Sequence, residues 1–138
     1  NKLEDLTKEL QIEDKVIFKG YISNEDVPKA LNEMDIFVVP SILDSESFGV
    51  AAVEAMACEV PVIVSDVDGL KEVVVNNETG FVIPKKSPKE IANKIKILIE
   101  NNDIVKKFKK NARDRVLKLY DWNKNVENMI KIYKELLK

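Results

Sequence analysis

The sequence predicts an α/β fold: a parallel sheet with helices on its faces, followed by a helical tail. Three observations carry this. Strand-sized apolar runs alternate with stretches of helical periodicity, which argues for parallel strands joined by right-handed crossovers. Two of the runs, 36–39 and 60–64, are continuously apolar, as strands buried on both faces are. After Pro88 no strand signal returns, and three helical stretches complete the 138 residues.

In chain order, Leu3, Leu6 and Leu10 recur at helical spacing with charges between them. Val16-Ile17-Phe18 reads as a short strand, with Gly20 in the turn after it. Asn24 fits an N-cap, with Glu25 and Asp26 in the first turn of a helix over 24–33. That helix is expected to bury Val27, Ala30, Leu31 and Met34. Ile36 to Val39 forms the next strand, closed by Pro40, and the polar loop 41–46 leads into a helix over about 49–58. Pro61 to Ser65 is a buried strand, followed by a turn at 66–69 and a short helix over 70–75 in which Glu72 is a first-turn acid. Thr79 to Ile83 is a strand ended by Pro84, and helices are expected over 89–100, 103–119 and 122–137. There is no internal repeat and no low-complexity linker, so the chain reads as a single domain.

Composition excludes several classes of function. With 45% hydrophobic and 33% charged residues the chain is globular rather than disordered. No apolar run approaches the ~20 residues of a membrane span. A formal charge of −2 gives no general reason to bind nucleic acid. The lysine-rich tail, including Lys106, Lys107, Lys109 and Lys110, reads first as a solvated helix face and second as a peripheral contact with an anionic membrane. One cysteine, Cys58, fits a reducing, cytoplasmic setting. Histidine is absent, which removes the commonest general base and metal ligand. No G-x-G-x-x-G turn follows a strand, against a dinucleotide-binding oxidoreductase domain.

Parallel sheets bind ligands beyond the C-terminal ends of their strands, here 20–22, 41–49 and 65–69. The segment Glu46-Ser47-Phe48-Gly49-Val50-Ala51-Ala52-Val53-Glu54 is the most informative. Without context, its two glutamates read as a loop charge and a solvated helix residue. Eight helical residues span roughly 12 Å, about the distance from a nucleotide's ribose to a sugar beyond its diphosphate. Between the glutamates, a helix N-terminus offers backbone N–H groups and the positive end of its dipole. Glu54 can accept from both ribose hydroxyls, the amides near Gly49 and Val50 can take a diphosphate, and Glu46 can orient sugar hydroxyls. Gly49, having no side chain, would let phosphate oxygens approach.

This segment resembles the hallmark of the fourth family of glycosyltransferases, two glutamates separated by seven residues. Val16-Ile-Phe-Lys-Gly-Tyr-Ile22, Asp35-Ile-Phe-Val-Val-Pro-Ser41, Val60-Pro-Val-Ile-Val-Ser65, Gly69-Leu-Lys-Glu-Val-Val74, Glu78-Thr-Gly-Phe-Val-Ile-Pro84 and Asp121-Trp122 follow in the order and near-spacing of that family. The resemblance implies a GT-B fold of two Rossmann-like halves around a cleft, with this chain the C-terminal, nucleotide-sugar-binding half. It implies retention of anomeric configuration, no cofactor and no metal. It also implies a UDP- or GDP-sugar as donor, with a glycan, lipid or small-molecule acceptor.

By position, Gly20, Tyr21 and Ile22 correspond to the nucleobase site, although the same turn can be an ordinary strand end. Phe48, Gly49 and Val50 correspond to the diphosphate cradle, Phe48 there as a packing residue under the loop more than a stacking partner. Glu54 corresponds to the ribose ligand and Glu46 to the donor-sugar ligand, placed to position the sugar and not assigned as a base. Three departures stand out. Glu59 occupies a usual glycine position at a helix C-terminus, where a left-handed backbone would cost about 1 kcal/mol. Asp68-Gly69 replaces a glycine pair, bringing a carboxylate toward the phosphates, and the loop 41–45 is about two residues longer than the commonest form. The family's first strands, its Arg and Lys pair and its N-terminal acceptor-binding domain are not in this sequence, so the 138 residues are expected to be inactive alone. A non-catalytic nucleotide-binding or protein-interaction module of the same fold is the alternative.

Overall fold

The structure, a computed structural model, describes residues 1–43, 49–119, 130 and 134–136. Glu46, Phe48 and most of the helix expected over 122–137 lie outside the described residues. Helix α1 (Lys2–Glu9) is started by Asn1, whose Oδ1 accepts from the amides of Leu3 at 2.8 Å and Glu4 at 3.0 Å. Its apolar stripe, Leu3, Leu6 and Leu10, stays largely exposed.

The strand expected at 16–18 is not formed. Ile17 is 80% exposed. A β-branched run becomes a strand only beside a pairing neighbour and a surface to pack on, and among the described residues 16–18 have no ladder partner. Helix α2 (Val27–Asn32) begins three residues later than Asn24 suggested, because of Pro28. Its ring and missing N–H forbid the helical bond back to residue 24, so Pro28 is confined to the first turn. Residues 23–26 form a turn instead, in which Ser23 Oγ donates to Asp26 Oδ2 at 2.9 Å. Of the side chains expected inside, Leu31 is buried, Val27 and Ala30 are half-buried and Met34 is exposed.

Strands β1 (Phe37–Val39), β2 (Val62–Ser65) and β3 (Phe81–Ile83) form a parallel sheet in the order β1-β2-β3. Val38 stands opposite Ile63, and Val64 opposite Val82. Only β2 is buried throughout. β1 is half-buried, unlike the strand covered on both faces that its apolar run suggested, and differs in this from the other edge strand, β3, whose Phe81 and Ile83 are covered by α5 and α6.

Helix α3 (Val50–Ala57) connects β1 to β2, and α4 (Asp68–Val73) connects β2 to β3. α4 starts two residues before its expected position, since Val67 is extended (φ −114°, ψ 152°) and serves as N-cap. Asp68, paired with Lys71 at 3.1 Å, is therefore the first-turn acid, and Glu72 lies near the helix end rather than in its first turn. Val75 leaves the helix because its amide donates to Thr79 Oγ1 at 2.9 Å. Helices α5 (Pro88–Glu100) and α6 (Asn102–Leu119) follow.

Alternation along β2 separates two cores. Val62 and Val64 pack with Ala52, Ala55, Met56, Leu70 and Val73 of α3 and α4. Ile63 packs on the other face with Phe81, Ile83, Leu98 and Phe108. α6 belongs to both: Phe108 meets Phe81 edge-on at 4.9 Å, while Ala112 and Val116 enter the α3–α4 core. Among the described residues, no helix is long and apolar enough to cross a membrane.

Candidate functional site

The strands all run the same way, so their C-terminal ends and the N-termini of the following helices share one side of the sheet. Ser65, ending β2, is buried there and directs its hydroxyl to the Val39 carbonyl at 3.4 Å. Between α2, the start of β1 and α3, Ile22, Ala30, Met34, Phe37, Ala51 and Glu54 are among the residues lining a pocket of about 180 Å3. Two predicted site residues 32 positions apart, Ile22 and Glu54, thus share one concavity. Its walls are aliphatic and aromatic, with Glu54 the acidic residue among them. The Glu54 side chain has no ion pair or hydrogen bond to the described residues. A carboxylate beside an apolar slot can accept from a pair of hydroxyls whose attached ring enters the slot.

Gly20 takes φ +66°, and a Cβ built on it meets nothing within 4 Å. Glycine is favoured there by the left-handed turn, not by crowding. Tyr21 projects into solvent at 91% exposure and lines a broad groove with Ile22, Lys19 and Lys29. Val50, the first residue of α3, is exposed, and among the described residues no side chain caps this helix end. The first amides of a helix have no partner within it and are groups to which an anionic ligand can bind.

Gly49 is buried against α4. A Cβ there would stand 2.7 Å from Leu70 Cδ2 and 3.7 Å from Val73 Cγ2. The vacant direction faces α4, so a Cβ at this position would press on Leu70. Glu46 and Phe48 fall outside the described residues, so their placement relative to this pocket is not described.

The opposite ends of α3 and α4 carry residues that periodicity did not single out. Arg113 of α6 donates to the Ala57 carbonyl at 2.7 Å, and Arg115 donates to the carbonyls of Val73 and Glu72, both at 2.9 Å. Both helix C-termini are thereby neutralised and satisfied. A signal was present: of 22 basic residues these are the only arginines. Among the tail lysines, Lys107 pairs with Glu78 at 3.5 Å, while Lys106, Lys109 and Lys110 are exposed. Among the described residues, no three His, Cys, Asp or Glu side chains group as metal ligands would.

Comparison with known proteins gives a consistent family. The model for "Glycosyl transferases group 1" matches residues 1–115. The glycosyltransferase MJ1607 of Methanocaldococcus jannaschii is 32% identical over 96% of this chain and 33% of its own length. Sucrose-phosphate synthase from Thermosynechococcus elongatus superimposes with a TM-score of 0.89 at 34% identity, over 99% of this chain and 34% of that one. Anabaena Alr3699/HepE, solved in complex with UDP, superimposes with a TM-score of 0.91 at 25% identity, over 97% of this chain and 36% of that one. The chain spans about a third of the length of the curated relatives it matches. These neighbours are GT-B glycosyltransferases, and the parallel sheet with its flanking helices is part of a Rossmann-like domain of that architecture.

Proposed function

The chain belongs to the glycosyl transferases group 1 family, and from that premise we propose that it is the donor-binding part of a retaining enzyme that moves a sugar from a UDP- or GDP-sugar to a glycan, lipid or small-molecule acceptor. The observation that carries this is the pocket shared by Ile22 and Glu54. In it the nucleobase lies along the 20–22 turn, where backbone groups of Ile22 bond its edge, and the ribose hydroxyls donate to Glu54. The diphosphate then reaches the open amides at Val50, where the helix dipole favours negative charge. Glu46 holds the hydroxyls of the transferred sugar. UDP bound to the HepE neighbour supports a nucleotide donor.

Chemistry in this arrangement is positioning together with stabilisation of the leaving diphosphate, without a metal. The Arg and Lys pair and the acceptor site belong to the rest of the enzyme. The exposed lysines of α6 suit a peripheral contact of the whole protein with an anionic membrane.

A donor screen on the full-length protein, read by product mass, tests the assignment. Glu54→Ala removes a charged acceptor, and the loss of one such hydrogen bond, worth about 1.5–3 kcal/mol, is expected to lower kcat/KM for the donor about 10- to 150-fold. Glu54 is exposed, so the fold should survive the substitution. Full activity in a folded Glu54→Ala protein would sink the proposal.

A further inference from the structure

In a chain that is otherwise lysine-based, Arg115 makes a contact lysine cannot reproduce. Its planar guanidinium bonds two successive carbonyls, Nε to Val73 and Nη2 to Glu72. Those carbonyls close the last turn of α4, a helix of six residues too short to hold itself. From the same helix, Leu70 and Val73 are fully buried and stand against Gly49, leaving no room for a Cβ. Gly49 is in turn the N-cap of α3, directly before the amide of Val50. The contacts therefore run unbroken from Arg115 to Val73 and Leu70, and from there to the start of α3.

We propose that Arg115 is a positioning residue for the donor diphosphate: by fixing the last turn of α4 it sets the wall against which Gly49 rests, and so the placement of the α3 amides. This rests on the donor-binding role given to α3 above. Arg115 itself touches no substrate. Backbone donors hold a charged group well only when already aimed at it, so a shift of the α3 amides weakens binding of the donor. Arg113 is a natural control, because its carbonyl partner, Ala57, lies at the far end of α3.

The test is steady-state kinetics of the full-length protein, with thermal melting run beside it. Arg115→Ala is expected to raise the donor KM about tenfold, leaving kcat within about threefold and the acceptor KM unchanged. Arg115→Lys, which can reach one carbonyl, is expected to recover part of that rise. Leu70→Ala removes the wall by another route, remains informative if Arg115→Ala does not fold, and is expected to raise the donor KM likewise. Should folded Arg115→Lys and Leu70→Ala proteins melt earlier with the donor KM unchanged, the arginine is merely structural and the positioning role is overturned. Glu54→Ala separates the two claims. If it raises the donor KM while the other variants do not, only the positioning role falls; if it too has no effect, the donor-binding role falls with it.

Discussion

The two ends of α3 are built on opposite principles. At its C-terminal end, backbone groups are consumed by the protein: the Val60 amide bonds the Ala55 carbonyl at 2.9 Å, Glu59 bonds Met56 at 3.1 Å, and Arg113 takes Ala57. At its N-terminal end no side chain among the described residues caps the helix, Val50 is exposed, and Gly49 is pressed against α4. α4 repeats the pattern, with Arg115 on its last carbonyls and no side-chain cap at Val67. One end of each helix holds the fold together and the other stays open. In α3 that open end is where a ligand's charge can be met. Substitutions at the two ends should therefore separate into losses of stability and losses of binding, with Gly49 the position where both meet.

The largest stability effect is expected at that meeting point. Gly49→Ala places a methyl group 2.7 Å from a fully buried leucine, and overpacking of this kind costs about 1–3 kcal/mol. A denaturant titration should show the midpoint fall with the slope unchanged. An unchanged midpoint would mean that Leu70 yields freely and that α3 is not locked at its open end. Arg113→Ala comes next. It removes one charged hydrogen bond at an exposed position, so a loss of about 1 kcal/mol is expected, with the donor KM unchanged. A changed donor KM in that variant would erase the distinction between the two ends.

What was legible in the sequence follows the range of the interactions involved. The runs at 36–39 and 61–65 and the helix from about 49 were readable because their signals are local periodicity and apolar continuity. The pairing of Glu54 with the turn before α2 was readable only through the family resemblance, since nothing local brings residue 22 to residue 54. The strand at 16–18 was misread because its pairing depends on a neighbour, and propensity cannot supply one. The packing of Gly49 against Leu70 was not legible, because the direction of its missing Cβ is set by the crossing of α3 and α4. The carbonyl contacts of Arg113 and Arg115 span 42 to 56 residues and leave no periodic trace.

The smallest effect sharpens the comparison from its closed end. Glu59 takes φ 59° immediately after α3, a backbone conformation that favours glycine. Its neighbours complete the two bonds of a Schellman turn, so the left-handed backbone is imposed by the helix end and not chosen by the side chain. A residue with a Cβ is strained there by about 1 kcal/mol, partly offset by the lower entropy of its unfolded chain. Glu59→Gly should therefore stabilise the protein by up to about 1 kcal/mol, seen as a modest rise in Tm. Donor affinity should not change, because the substitution lies at the end of α3 remote from Val50. A fall in Tm would mean that the Glu59 side chain contributes more than its backbone strain costs, and that the closed end of α3 is held by more than its backbone turn and Arg113.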